Sequence, residues 1–316
     1  MLGLLLQKLA HIILVLLLVS LITMLMVDLS PGDSAYSILG ENATPEQVAQ
    51  VNKKLGLNDP LQVRWARWVN DTVHGDLGRS VRTGQSVTDA LRERLPVTAE
   101  LAFLALFFSL LIAIPVGVYT AYRSDRWLDR TTGVATSLLI SSPAFLTGVL
   151  LSYLFAVKFH IFPVTGWVKL TENLGENLKS AFLPALTLAL TEIAVFTRLV
   201  RADMIATLQD NFILTARAKG LSDRYILMRH AFRPSSFSLL TLSALSLGRL
   251  IGGAVIVENV FAIPGIGSLL VSSIIAGDLV MVQGTVLFVA IVYVVVNALV
   301  DVAYGFLDPR VRVGRA

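Results

Sequence analysis

The sequence predicts an all-α integral membrane protein with six transmembrane helices. Two observations lead to this prediction. Hydrophobic residues make up 55% of the 316 residues and charged residues only 15%, whereas a soluble domain carries roughly 25% charged residues. The apolar residues are also grouped into long blocks, each close to the roughly 20 residues that a helix needs to cross the hydrocarbon core of a bilayer.

The six apolar blocks lie at residues 9–27, 101–122, 134–155, 182–200, 237–257 and 282–306. A secretory signal peptide is the alternative for the first block. However, its apolar run exceeds the roughly 7–15 residues of a signal peptide, and no small-x-small cleavage site precedes Pro31. We therefore predict an uncleaved transmembrane helix within residues 1–29. Prolines are expected to kink or end helices at Pro115, Pro143, Pro184 and Pro264.

Basic residues in the short connections predict the orientation of the spans. They are concentrated after the second span, at and after the end of the fourth span, and in the C-terminal tail, 307–316. The opposite side has Lys158, Lys169 and Lys179 after the third span and no basic residue from Glu258 to Gln283. The positive-inside rule therefore places both termini in the cytoplasm. The basic residues are Arg123, Arg126 and Arg130, then Arg198, Arg201, Arg217, Lys219, Arg224, Arg229 and Arg233, and finally Arg310, Arg312 and Arg315.

The segment 30–96 is predicted to be extracytoplasmic and helical. Its run 44–47, Thr-Pro-Glu-Gln, combines an N-cap residue, a first-turn proline and the glutamine of a capping box. A second helix carries Trp65 and Trp68, and a third leads through Pro96 into the second span. The segment is either a plain helical cap over the outer face or a docking surface for an external partner. The two tryptophans also suit anchors at the level of the lipid headgroups.

The cytoplasmic connection 201–235 predicts two short amphipathic helices. Gly220 would supply the turn between them, because glycine adopts a positive φ freely, and Ser222 would cap the second helix. Small residues in the first helix allow close backbone approach, as in a helix seated in the groove of a partner protein. The alternative from the residues alone is an interfacial helix on anionic lipid.

This connection resembles the coupling motif of the permease subunits of ABC transporters. Residues 214–221 read Leu-Thr-Ala-Arg-Ala-Lys-Gly-Leu, which is similar to the branch that imports dipeptides, oligopeptides, glutathione or nickel complexes. Leu214 stands where the general pattern has glutamate. Further matches to that branch extend over nearly the whole chain: Pro31-Gly32-Asp33, Leu55-Gly56-Leu57, Gly75-Asp76-Leu77-Gly78, Leu95-Pro96-Val97-Thr98, Gly252-Gly253-Ala254-Val255, Pro264-Gly265-Ile266-Gly267, Val282-Gln283-Gly284 and Leu307-Asp308-Pro309-Arg310. The chain departs from the branch at Gly277-Asp278-Leu279-Val280.

The resemblance implies a type I ABC importer permease fold, with the permease core at residues 97–306, in a bacterial cytoplasmic membrane. The expected cargo is a dipeptide or oligopeptide. The implied partners are a second permease subunit, two ATPase subunits and an extracytoplasmic substrate-binding protein. ATP and magnesium would bind to the ATPases, and this chain, which has no Gly-x-x-x-x-Gly-Lys-Ser/Thr loop, is expected to hold no cofactor or metal.

The resemblance also implies which residues contact the ATPases. They are Leu214, Thr215, Ala216, Arg217, Ala218, Lys219, Gly220, Leu221 and His230, and of these Ala216, Lys219, Gly220 and Leu221 are expected to enter an ATPase groove.

Ionisable residues within the spans are candidates for the translocation path. Arg249 lies in the middle of the fifth span, where an arginine costs roughly 2.5–3.5 kcal/mol on insertion scales. Glu192 lies in the fourth span, and Asp301 lies near the inner end of the sixth. Arg249 either forms a structural ion pair with Glu192, lines the path and meets a peptide carboxylate, or reaches towards an interface. In each case we expect it not to face lipid.

Other function classes fit the sequence poorly. The four histidines are scattered, and neither a His-Glu-x-x-His pair nor a Gly-x-Ser-x-Gly elbow occurs, so no enzyme is predicted. The absence of cysteine excludes disulfides and thiol chemistry, and a net charge of +4 without a long basic tail argues against nucleic acid. An ion-coupled secondary transporter remains as the alternative class, although it would need inverted repeats and paired midplane acids.

Overall fold

The computed structural model describes residues 2–28, 44–55, 59–80 and 82–307, which are almost entirely helical. Arg79 and Ser86 form an isolated antiparallel bridge. The predicted all-α class is confirmed. In chain order the helices are α1 (Leu2–Asp28), α2 (Pro45–Leu55), α3 (Leu61–Val73), α4 (Val87–Tyr122), α5 (Trp127–Ser141), α6 (Ala144–Lys158), α7 (Leu174–Leu208), α8 (Asn211–Ala218), α9 (Asp223–Val260), α10 (Ile266–Ile275) and α11 (Leu279–Leu307).

Several features singled out in the sequence lie wholly or partly outside the described residues. They are the segments Pro31-Gly32-Asp33, Leu55-Gly56-Leu57 and Leu307-Asp308-Pro309-Arg310, the arginines of the C-terminal tail, and the side chain of Asp301.

Four helices, α4, α7, α9 and α11, are each long and apolar enough to cross a membrane. They coincide with the predicted second, fourth, fifth and sixth spans. If the bent pair of α5 and α6 is counted as one span, the described residues contain up to five such spans. α1 contains the shorter apolar stretch Ala10–Met26. The described residues therefore support four or five spans by length and composition, and α1 occupies the position of the predicted first span.

The predicted third span is broken rather than straight. α5 and α6 are bent by 106° relative to each other at Ser142 and Pro143. Ser142 has an extended conformation, with ψ at 127°, because the ring of the following proline disfavours helical geometry in the residue before it. Pro143 thus ends a helix, as expected from the sequence.

The prolines within the long helices do not end them. Pro184 lies inside α7, and Pro115 lies inside α4, so neither ends its helix. α4 also runs without interruption through Pro96, which joins the third predicted external helix to the second span as one helix of 36 residues. Membrane helices tolerate such prolines because neighbouring groups satisfy the freed backbone carbonyls.

One compact unit comprises Met1–Thr98 and Pro264–Val294. Its hydrophobic core joins the start of α4 to α10 and α11, and Val87 lies so close to Gly284 that an added Cβ there would be 2.6 Å from the valine side chain. The predicted capping box begins α2, since Thr44 and Gln47 exchange backbone-to-side-chain hydrogen bonds of 2.9 and 3.3 Å. In α3, the indole nitrogen of Trp65 donates to Ser20 in α1 at 3.0 Å.

The second compact unit comprises Ala99–Ile263 and Val295–Ala316. α7 lies at its centre, and 72% of the apolar window of this helix is buried. Phe196, Val200 and Met204 of α7 are almost completely buried. α4 packs closely against them at Gly117, where an added Cβ would be 2.8 Å from Val200. Both candidate sites described below lie in this unit, and its core holds the buried face of α8.

Candidate coupling helix and buried ion pair

The predicted coupling segment, 214–221, forms the second half of α8 and the turn after it. Ile213 and Ala216 lie three residues apart on one face of α8, and both are buried in the core cluster that contains Phe196 and Met204. This burial corrects the expectation that Ala216 enters a groove of a partner, because its methyl group already packs against the chain itself. The other members are exposed: Leu214, Thr215, Arg217, Ala218, Lys219, Gly220 and Leu221.

Gly220 ends α8 in a left-handed conformation, as predicted, with φ at +73°. Its N–H donates to the carbonyl of Arg217 at 2.9 Å, and the N–H of Leu221 donates to the carbonyl of Ala216 at 3.3 Å. These two bonds are the Schellman arrangement, which satisfies carbonyls left free at a helix end. An added Cβ at Gly220 would contact nothing within 4 Å, so the backbone conformation alone requires glycine here.

The second predicted short helix is not separate. It is the start of α9, which begins at Asp223 and passes through a π-helical stretch, Ile226–Ala231, before it continues into the span. Ser222 lies at the N-cap position, but its side chain makes no capping hydrogen bond, which corrects that expectation. His230 lies in the π-helical stretch, partly exposed, with its ring edge-to-face with Tyr225 at 5.4 Å between centroids.

Two polar contacts that the sequence did not predict join the ends of helices on the predicted cytoplasmic side. Tyr122, at the end of α4, donates its hydroxyl to Asp223 at 2.7 Å. Arg201 of α7 forms a bidentate pair with Asp129 of α5, with distances of 2.5 and 2.7 Å. The second contact had a signal in the sequence. Asp129 lies in the first turn of α5 and Arg201 lies at the end of the predicted fourth span, and both were predicted to lie on the same side of the membrane.

Glu192 of α7 and Arg249 of α9 form the ion pair that the sequence allowed. The Arg249 Nη2 atom donates to Glu192 Oε2 at 3.1 Å and to Ser246 Oγ at 2.6 Å. Ser246 in turn donates to Glu192 Oε2 at 2.8 Å. The side chain of Glu192 is 9% exposed, whereas that of Arg249 is 49% exposed in the single chain. Ser246 was missed in the sequence, although it lies one helical turn before the arginine.

Two family models match the chain. Residues 113–313 match the inner membrane component of binding-protein-dependent transport systems. Residues 1–102 match the N-terminal part of the membrane component of such systems.

Named relatives match over nearly the full length. A peptide transport system permease protein of Brucella abortus (strain 2308) is 42% identical over 99% of each chain. A peptide ABC transporter permease protein of Sinorhizobium fredii is 35% identical over 97% of this chain and 98% of its own. A nickel import system permease protein of Staphylococcus aureus (strain USA300) is 37% identical over 97% of this chain and 91% of its own.

A solved structure of the MetNI methionine ABC transporter, in an inward-facing conformation, has the same fold. It superposes with a TM-score of 0.55 at 18% identity, over 70% of this chain and 95% of the matched chain. The predicted type I importer permease fold is therefore confirmed, and the family match and the named relatives confirm the predicted role as a transport subunit. The chain belongs to the inner membrane components of binding-protein-dependent transport systems, the membrane permease subunits of ABC importers.

Proposed function

We propose that this chain is a permease subunit of an ATP-driven importer of dipeptides or oligopeptides. The observation that carries the proposal is the 42% identity, over 99% of each chain, to a Brucella protein named as a peptide transport permease. A nickel complex is the second candidate cargo, because the Staphylococcus relative, 37% identical, is named as a nickel import permease. The proposed partners are a second permease subunit, two ATPase subunits and an extracytoplasmic binding protein.

The exposed face of α8 is the proposed contact with an ATPase subunit. Together with the turn that follows the helix, this face presents Leu214 and Leu221 as apolar contacts beside the cations Arg217 and Lys219. The opposite face, through Ile213, is buried against the span helices. A rigid α8 would therefore pass the movement of an ATPase directly to α7 and α9, while ATP and magnesium stay in the partner subunits.

Alternating access then depends on coupling between two equilibria. Closure of the ATPases and binding of cargo must each favour one conformation of the spans over the other. Arg249 and Glu192 are the proposed residues of the translocation path in this chain. The free-energy cost of placing these charged side chains within the bilayer is reduced where they face protein or a water-filled cavity.

Reconstitution in proteoliposomes tests the proposal. The chain is incorporated with its partner permease, its ATPases and its binding protein, and uptake of a radiolabelled dipeptide is measured beside uptake of a chelated nickel ion. We expect dipeptide uptake that requires both ATP and the binding protein. Nickel uptake without dipeptide uptake would establish the second candidate instead. Uptake by this chain alone, driven by an ion gradient, would contradict the importer itself.

A further inference from the structure

The hydrogen bonds of Arg249 leave most of its guanidinium unused. Both bonds come from Nη2, so among the described residues Nε and Nη1 have no acceptor. Arginine carries five N–H donors in a planar fork that matches the two oxygens of a carboxylate. Glu192 and Ser246 fix one corner of the fork, and the remaining donors are free to bind a second carboxylate.

Arg249 lies on an open strip of α9. Leu245, Gly252, Gly253 and Ile256 share the helical face of Arg249 by their spacing, and all are exposed in this chain. An added Cβ at either glycine would contact nothing within 4 Å. The backbone one helical turn after Arg249 is therefore accessible to an extended ligand, with the exposed apolar side chains of Leu245 and Ile256 at the two ends of the strip.

Glu192 sets the strength of this site. It lies 3.1 Å from Nη2 and is nearly buried, so it neutralises the arginine without covering it. A lone arginine in a low-dielectric path would hold an anion strongly. A transport path instead needs binding that is favourable enough for entry and weak enough for release. A guanidinium paired with Glu192 attracts a second carboxylate less strongly than a lone arginine would, because Glu192 already offsets part of its charge.

We propose that Arg249 is a specificity residue of the translocation path, which transiently binds the C-terminal carboxylate of a peptide in transit. Glu192 and Ser246 are positioning residues that orient the guanidinium. Gly252 and Gly253 leave room for the peptide backbone. The proposal rests on peptide import as the function and adds the chemical group that the path recognises.

The chain has no cysteine, which makes a labelling test direct. Gly252→Cys is introduced into the full transporter in lipid nanodiscs, and this subunit is labelled with a negatively charged methanethiosulfonate. We expect a dipeptide with a free carboxylate to slow the labelling, and the same dipeptide with an amidated C-terminus not to slow it. With Arg249→Gln added, half-protection should need about tenfold more of the free-acid dipeptide, since a charge-assisted hydrogen bond is lost. Arg249→Lys, which keeps the charge without the fork, should be intermediate.

A matched control shows whether the dipeptide slows labelling only near Arg249 or at any exposed cysteine. Gly133→Cys, an exposed helical glycine that also has open space at its Cβ, should label at the same rate with either peptide. Gly253→Cys replaces Gly252→Cys if the latter does not assemble.

Three results would overturn the proposal: equal protection by the acid and the amide, protection that survives Arg249→Gln, or a strip that no reagent reaches because a partner subunit covers it. The labelling requires no transport. Failure of the proposed function would appear separately, as absence of dipeptide uptake by the wild-type proteoliposomes.

Discussion

At the scale of single residues, the ion pair and the helix-ending glycine show which parts of the site could be predicted. Arg249 and Glu192 each stood out because a charge within a span is costly. Their pairing was one of several open alternatives, since the two residues are 57 positions apart. Gly220, in contrast, was predicted together with its conformation. A left-handed helix end depends on the local backbone, which the sequence specifies directly.

Removal of one charge from the ion pair should destabilise the permease. We expect Glu192→Gln to lower stability by less than the roughly 3–5 kcal/mol that breaking a fully buried pair costs, because Arg249 is half exposed. The double variant Glu192→Gln/Arg249→Gln should recover part of this loss. Thermal unfolding of the wild type, Glu192→Gln, Arg249→Gln and the double variant in detergent gives the coupling energy. If the stability losses of the two single variants simply add up to the loss in the double variant, the ion pair contributes nothing to stability.

Substitution of Gly220 should uncouple transport without preventing insertion. Gly220→Ala forces a side chain into a left-handed conformation, at a cost of about 1–2 kcal/mol. Gly220→Pro should be more severe, because it also removes the N–H that donates to Arg217. Dipeptide uptake and ATPase activity stimulated by the loaded binding protein are the measurements.

Gly84→Ala is the matched control for this prediction. Gly84 has φ at +72° and equally open space at its Cβ, but it lies in the predicted extracytoplasmic segment. It should carry the same backbone strain and still transport. Equal loss of uptake in Gly84→Ala and Gly220→Ala would mean that strain alone, and not the coupling turn, explains the effect.

At the scale of elements, the structure divides α8 into two faces that the sequence did not separate. The alanines of the motif looked equivalent as small residues. Ala216 is buried against the core, and Ala218 is exposed. The sequence did not distinguish them because the two residues have the same side chain, and only the packing partners of α8 decide which alanine faces inward.

Leucine at these two alanines should therefore give different results. Ala216→Leu overpacks the core, and we expect it to lower the stability of the permease by about 1–3 kcal/mol. Ala218→Leu should leave stability unchanged and weaken the binding of the ATPase subunits. Thermal unfolding and co-purification with the ATPases measure the two effects. The opposite pattern would reverse the assignment of the faces.

At the scale of the whole molecule, the apolar blocks predicted where the long helices lie but not where they begin or bend. α4 begins 14 residues before the predicted block at residue 101, and the third span is bent by 106°. Hydropathy marks the stretch that suits a bilayer, whereas a helix continues until its backbone bonding or a proline ends it. The boundaries therefore followed from local geometry that hydropathy does not contain.

The predicted orientation can be checked with the cysteine-free chain. Gln62→Cys lies on α3 in the predicted outer segment, and Arg126→Cys lies in the predicted cytoplasmic connection after α4. Both residues are exposed. A membrane-impermeant maleimide added to intact spheroplasts should label the first variant only, and permeabilisation should expose the second. The reverse labelling would invert the topology and place α8 on the outer side.

The sequence by itself determined the class of the protein, its apolar helices, the family and the turn at Gly220. Each of these depends on composition, on a continuous motif or on local backbone preference. Tertiary structure decided that Ala216 faces inward, that Asp129 pairs with Arg201, and that Ser246 joins Glu192 to Arg249. These features join residues from separate helices or depend on what packs against a helix, and the packing of the folded chain brings such groups into contact.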